Sequence, residues 1–124
     1  MTANDVSALV AIRSALADSD PTASAALTLQ RLINAGLDRL PQPGQGATLD
    51  RWRVLAAVAR HDLSLAKLFE GHTDALAILN ELGHARAGDS RVWGVWAAEA
   101  PQGKAWLRIG PTGSATLWGA KCWC

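Results

Sequence analysis

At 124 residues, 49% hydrophobic and 19% charged, the chain has room for one ordinary domain, or for one domain and the start of another, and is too apolar for wholesale disorder. A net charge of +1 gives no electrostatic case for nucleic acid or for an acidic membrane surface, so neither partner is expected. Charges interrupt the apolar runs every few residues, which excludes a bilayer span.

The opening stretch "MTANDVSALVAIRSALADSD" carries Asp5 and Asp18, has no basic leader region and does not read as a signal peptide. With only two cysteines, the reducing cytoplasm is the expected compartment. The same stretch predicts a first helix. Val6, Leu9, Val10, Ile12, Arg13 and Leu16 gather most of its apolar groups on one face, Asn4 or Asp5 can cap its start, and Pro21 marks its stop. A second helix is expected from about Thr22 to Ala35, with Leu29, Leu32 and Ile33 inward and Gly36 as the terminating glycine.

"LDRLPQPGQGATLD" holds too many Pro and Gly to continue a helix and reads as a loop. A third helix is expected near Thr48, with Leu49, Trp52, Leu55, Ala56 and Ala59 on its apolar stripe. Asp62 or Ser64 then caps a fourth helix running to Leu82, with Leu65, Leu68, Phe69, His72, Leu76 and Leu79 inward and Gly83 at its end.

The chain changes character after "HARAGDS". Five of the six Trp lie between residues 93 and 123, and the apolar period shifts from the helical one toward alternation. "RVWGVWAAEA", "KAWLRIG" and "SATLWGAKCWC", separated by "PQG" and "GPTG" turns, predict three consecutive strands. The fold class expected is α+β. A helical domain of about four helices spans residues 1–84, and an incomplete antiparallel β-domain begins with residues 91–124.

The residues offer little catalytic chemistry. Cys122 and Cys124 share a strand face, but His61, His72 and His84 lack the i, i+4 spacing of a helical metal pair, so strand thiols and no metal site are expected. His72 reads as a packing histidine bonded to a backbone carbonyl or a carboxylate, and Asp62 as a cap. Glu99 reads as a solvated loop residue. Arg51, Arg53, Arg60 and Lys67 read as a solvated face. Trp93, Trp96, Trp106, Trp118 and Trp123 either fill a sheet core or form a stacking platform. No phosphate loop, nucleophile elbow or catalytic triad order is present.

Two stretches resemble one known family. "LAAVARHDLSLAKLFEGHTDALAILNELG" (residues 55–83) resembles the helical N-terminal domain of acyl-CoA dehydrogenases, where a D-L-S-L junction leads into a helix bearing E-G-H-x-x-A-L. "LWGAKCWC" (residues 117–124) resembles a strand of that family's middle β-domain, within which the chain would then stop. The resemblance implies an FAD-dependent oxidoreductase that dehydrogenates an acyl-CoA between its α and β carbons. It implies flavin contact by Ala97, Ala98 and Trp123, with Glu99 matching the Glu of the family's L-T-E-P segment. Ala98 stands where the family carries a flavin-holding Thr, the proline comes one residue late, and no Ser-Asp follows. The family's catalytic base belongs to a C-terminal helical domain, so no catalytic residue is assigned and the chain alone is expected neither to bind FAD nor to turn over. The alternative is a non-enzymatic interaction module that uses its Trp-rich strands. Either way, an incomplete sheet is expected to drive self-association through the C-terminal strands.

Overall fold

The computed structural model describes residues 3–84 and 90–122, with side chains from residue 8 onward. Four helices, α1 (Ala3–Ala17), α2 (Ala25–Asn34), α3 (Thr48–His61) and α4 (Leu63–Glu81), precede two strands, β1 (Ala105–Ile109) and β2 (Ala115–Gly119). This is the α+β arrangement expected, a helical bundle followed by an incomplete antiparallel β-part. No helix among the described residues is long and apolar enough to cross a membrane.

Local chemistry sets the helix ends. α1 starts at Ala3, which places Asn4 and Asp5 within its first turn and not at the N-cap position expected for one of them. The Asp20 carboxylate accepts from both the backbone N–H and the hydroxyl of Thr22, at 2.8 and 2.7 Å. That side-chain turn holds Thr22 outside the helix. Ser24 then caps α2 by accepting from Leu27 N–H, so the helix begins at Ala25, later than the expected Thr22. Gly36, at φ +69°, closes α2 as expected. Its N–H donates to Ile33 O and that of Leu37 to Leu32 O, both at 2.9 Å, which satisfies the orphan carbonyls. Gly83 and His84 repeat the arrangement after α4, on Asn80 O and Leu79 O. Asp62 is extended (φ −157°, ψ 128°) between α3 and α4. Its N–H donates to Val58 O and its carboxylate accepts from Leu65 N–H, so one residue ends one helix and starts the next.

The core forms where the four helices meet. Ile12 and Leu16 of α1 pack with Leu29, Leu32 and Ile33 of α2, Val54 and Val58 of α3, Leu65 and Phe69 of α4, and Leu40 from the α2–α3 loop. Each such side chain contributes about 1.5–3 kcal/mol by leaving water. On α1, Leu9 joins this face, whereas Val10 and Arg13 point to solvent. On α4, Leu65, Phe69 and His72 are buried and Leu76 and Leu79 half-buried as expected, but Leu68 is exposed. α3 departs most. Its buried face is Arg51, Val54 and Val58, with Leu55 half-buried, while Leu49, Ala56 and the 62%-exposed Trp52 look outward. Two stripes compete on this helix, and the β-branched valines reach the core facing α1 and α4.

Two strands form among the described residues, not three. "RVWGVWAAEA" forms no strand, and an isolated bridge joins its Ala100 to Gly103 across the "PQG" turn. β1 and β2 pair antiparallel, with Trp106 opposite Trp118, Leu107 opposite Leu117 and Arg108 opposite Thr116. The "GPTG" segment makes the connecting turn, with Gly113 at φ +78° and Gly110 N–H donating to Ser114 O at 2.7 Å. A left-handed φ of this kind suits glycine. All ten strand residues are exposed. Cys122 follows β2 and is exposed, where a buried or half-buried strand thiol is expected from the sequence; Cys124 lies outside the described residues.

Candidate functional site

The sheet register sorts the ribbon into two unlike faces. Trp106, Arg108, Thr116 and Trp118 share one face, and Leu107, Ile109 and Leu117 the other. The two indoles sit directly across from each other, 57% and 48% exposed, and the Arg108 guanidinium lies 5.7 Å from the Trp118 ring centroid. Neither face fills a sheet core, so the platform alternative describes Trp106 and Trp118 better than the core alternative.

At the open end of the ribbon, the "PQG" turn packs against the residues that follow β2. A methyl group on Gly103 would collide with the Cys122 side chain, and one on Gly119 with the Lys104 carbonyl. Glycine at both positions permits the close approach. Lys121 crosses the gap. Its ammonium donates to the Ala98 carbonyl at 3.2 Å and lies 3.5 Å from a Glu99 carboxylate oxygen. Lys104 approaches the other Glu99 oxygen at 4.0 Å. Glu99 is thus an ion-paired loop carboxylate and not merely a solvated one.

This geometry puts the Ala98 carbonyl against Lys121, in the described part (residues 117–122) of the second family-like segment. Trp123 lies outside the described residues. Ala97 and Ala98 are exposed, carry only methyl side chains, and the Ala98 carbonyl is already engaged by Lys121. They present no side-chain donor to an isoalloxazine, so the described residues do not by themselves fit a flavin.

The helical part holds a polar cluster that the sequence reading only half located. His72 is fully buried on α4, and its Nε2 lies 3.1 Å from Asp38 Oδ2, in the α2–α3 loop. This is the packing histidine expected, with Asp38 as its carboxylate. Its Nδ1 accepts from the backbone N–H of Trp93 at 3.1 Å. Beside it, Arg51 is buried, contrary to the solvated face expected for it. Its guanidinium donates to Asp74 Oδ1 at 2.7 Å, Thr73 Oγ1 at 3.4 Å and Pro41 O at 3.2 Å. Arg53, Arg60 and Lys67 do lie on the surface. The i, i+3, i+7 spacing of Arg51, Val54 and Val58 was the available signal for a buried arginine. Asp38 had none, lying in a loop with no periodicity.

The remaining titratable groups build nothing comparable. His61 lies on the surface 3.4 Å from Ser19, and His84 is exposed after α4. Among the described residues no three His, Cys, Asp or Glu side chains cluster closely enough to hold a metal ion. Lys67 pairs with Glu70 at 2.9 Å, which raises the lysine's pKa through that hydrogen bond and the carboxylate's charge.

No family model, curated protein or solved structure matches the chain.

Proposed function

We propose that the chain is the N-terminal portion of a flavin-dependent, acyl-CoA dehydrogenase-like oxidoreductase of the cytoplasm, inactive by itself. In this reading residues 1–84 are the helical domain and residues 91–124 begin the β-domain. The supporting observation is the Lys121 bridge. It joins Ala98 and Glu99 to the end of the ribbon, so the two segments to which the resemblance assigns flavin contact are neighbours, although 23 residues separate them. The "HDLSL" junction adds support, since Asp62 alone ends α3 and starts α4. In the complete protein FAD would accept the hydride and an acyl-CoA would supply it. Ala97, Ala98 and Trp123 would border the flavin, with its polar contacts and the catalytic base supplied by residues outside this chain. The test is the product of the whole reading frame containing these residues. A bound flavin spectrum that bleaches on anaerobic addition of an acyl-CoA supports the reading. A product that stays flavin-free at saturating FAD contradicts it. The 124-residue chain alone is expected to remain colourless.

A second reading has its own observation. The aliphatic face formed by Leu107, Ile109 and Leu117 is exposed along its whole length, which suits a non-enzymatic module that docks through the ribbon. Its simplest partner is a second copy of the chain. Trp-lined binding without any flavin in the complete product would favour it.

A further inference from the structure

Helix α3 carries two apolar stripes, and the bundle uses one of them. The other, Trp52, Ala56 and Ala59 at i, i+4 and i+7, stays outside the core. It borders an open groove of about 390 Å³ where α3 meets α4. Ala56, Ala59 and Ala66 line that groove with methyl groups only, which leaves the space beside Leu55 and Leu63 unfilled. Leu63 is 77% exposed and Trp52 62%. An apolar face of this kind on a folded helical core marks a contact surface.

Two features of the face complement each other. Trp52 stands as a knob one turn before the groove, and the groove has room for one indole. From Trp52 to the middle of the Leu55–Ala59 stretch is about 7.5 Å along the helix axis, at 1.5 Å per residue. A two-fold axis crossing α3 level with residues 54 and 55 therefore lays α3 antiparallel on a second α3 and seats each indole in the opposite groove. Such a contact is isologous, the same patch serving both copies.

The charges on the rim fit the same axis. Lys67 and Glu70 pair at 2.9 Å on α4. The chain turns back at Asp62 and both helices line the groove, so positions 67 and 70 lie level with positions 57 and 54 of α3. A two-fold axis reverses the order of the pair and sets the lysine of one copy against the glutamate of the other. The chain thus carries both the piece that fills its own groove and the charges that match its own rim.

We propose that α3 and α4 form the face of a symmetric homodimer, in which Trp52 of each copy fills the partner's groove and Lys67 and Glu70 pair across the axis. The proposal rests on neither the flavin reading nor the ribbon.

The experiment is sedimentation of the full-length 124-residue chain carrying Leu117→Lys, which disables the aliphatic face of the ribbon. This chain should dimerise as its concentration rises. Trp52→Ala, added to it, should weaken the dimer roughly thirtyfold or more, the scale of an aromatic anchor in a pocket, with helical circular dichroism unchanged. Lys67→Glu and Glu70→Lys should each weaken the dimer, and an equimolar mixture of the two variants should associate more tightly than either alone, since the facing rims then carry opposite charges. A Leu117→Lys chain that stays monomeric at every concentration, a dimer indifferent to Trp52→Ala, or a mixture no tighter than its components would each overturn the proposal. In the first case, an otherwise wild-type dimer that is lost in Trp52→Ala would assign the groove to the ribbon of another copy instead.

Discussion

The helical bundle and the ribbon solve opposite problems. In the bundle even one arginine and a histidine are buried with partners: Arg51 donates to Asp74 and the His72 ring meets Asp38. In the ribbon even the large apolar groups are exposed, including Leu117 at 71%. The bundle therefore builds a core of its own, even with Trp52 and Leu63 left at the surface, whereas a two-stranded ribbon with both faces wet is marginal without something against it. The difference places the buried core within residues 12–77 and leaves the ribbon, residues 105–119, without one.

The largest effect should come from the bundle. Phe69→Ala is expected to cost about 3–5 kcal/mol in denaturant unfolding followed by helical circular dichroism. Leu117→Ala should change that same transition by under about 0.5 kcal/mol. Equal costs would break the comparison. Next comes the polar cluster. Asp38→Ala strands the His72 Nε2–H in the core and should cost about 1–3 kcal/mol. Arg51→Met should cost less, about 1 kcal/mol, because the Asp74 side chain is 49% exposed and rehydrates.

The ribbon sharpens the comparison through association. Leu117→Lys puts a charge on the aliphatic face, and Trp118→Lys puts one on the aromatic face. Sedimentation at several concentrations should show weaker self-association for both, with helical unfolding unchanged; a wild-type chain that stays monomeric at every concentration would remove the docking reading.

The smallest expected effect is at the entrance to α2. The Asp20 carboxyl is held below its ordinary 3.8 chiefly by the Thr22 hydroxyl, then by the Thr22 N–H, with the Arg31 charge assisting. A folded-state value below the unfolded one gives stability that is present above the unfolded value and lost as pH falls through the folded one. Thr22→Ala should therefore flatten the acid limb of the stability curve slightly, and an unchanged limb would show that the turn contributes nothing there.

Helix existence and most helix ends were legible because their signals are local. Ser24, Gly36, Asp62 and Gly83 act through bonds to residues within five positions. The α3 face was not legible, because two apolar stripes share that helix and only the packing of α1 and α4 selects Val54 and Val58. The third strand failed for a related reason. "RVWGVWAAEA" alternates like a strand, but alternation supplies no pairing partner, and the Trp93 amide goes to a histidine of the bundle instead. The Lys121 bridge to the Ala98 carbonyl spans too many residues for any local pattern to announce.

The central claim, that the helices are self-sufficient and the ribbon is not, is tested most directly by residues 1–84 expressed alone. The shortened chain loses, among other contacts, the Gln30 and His72 links to the segment beyond. The account predicts a cooperative thermal transition within about 16 °C of the full chain's, the scale of two lost hydrogen bonds in a domain of this size. A chain that is unfolded or molten at 25 °C would mean that the ribbon supports the bundle, and the division drawn between them would be wrong.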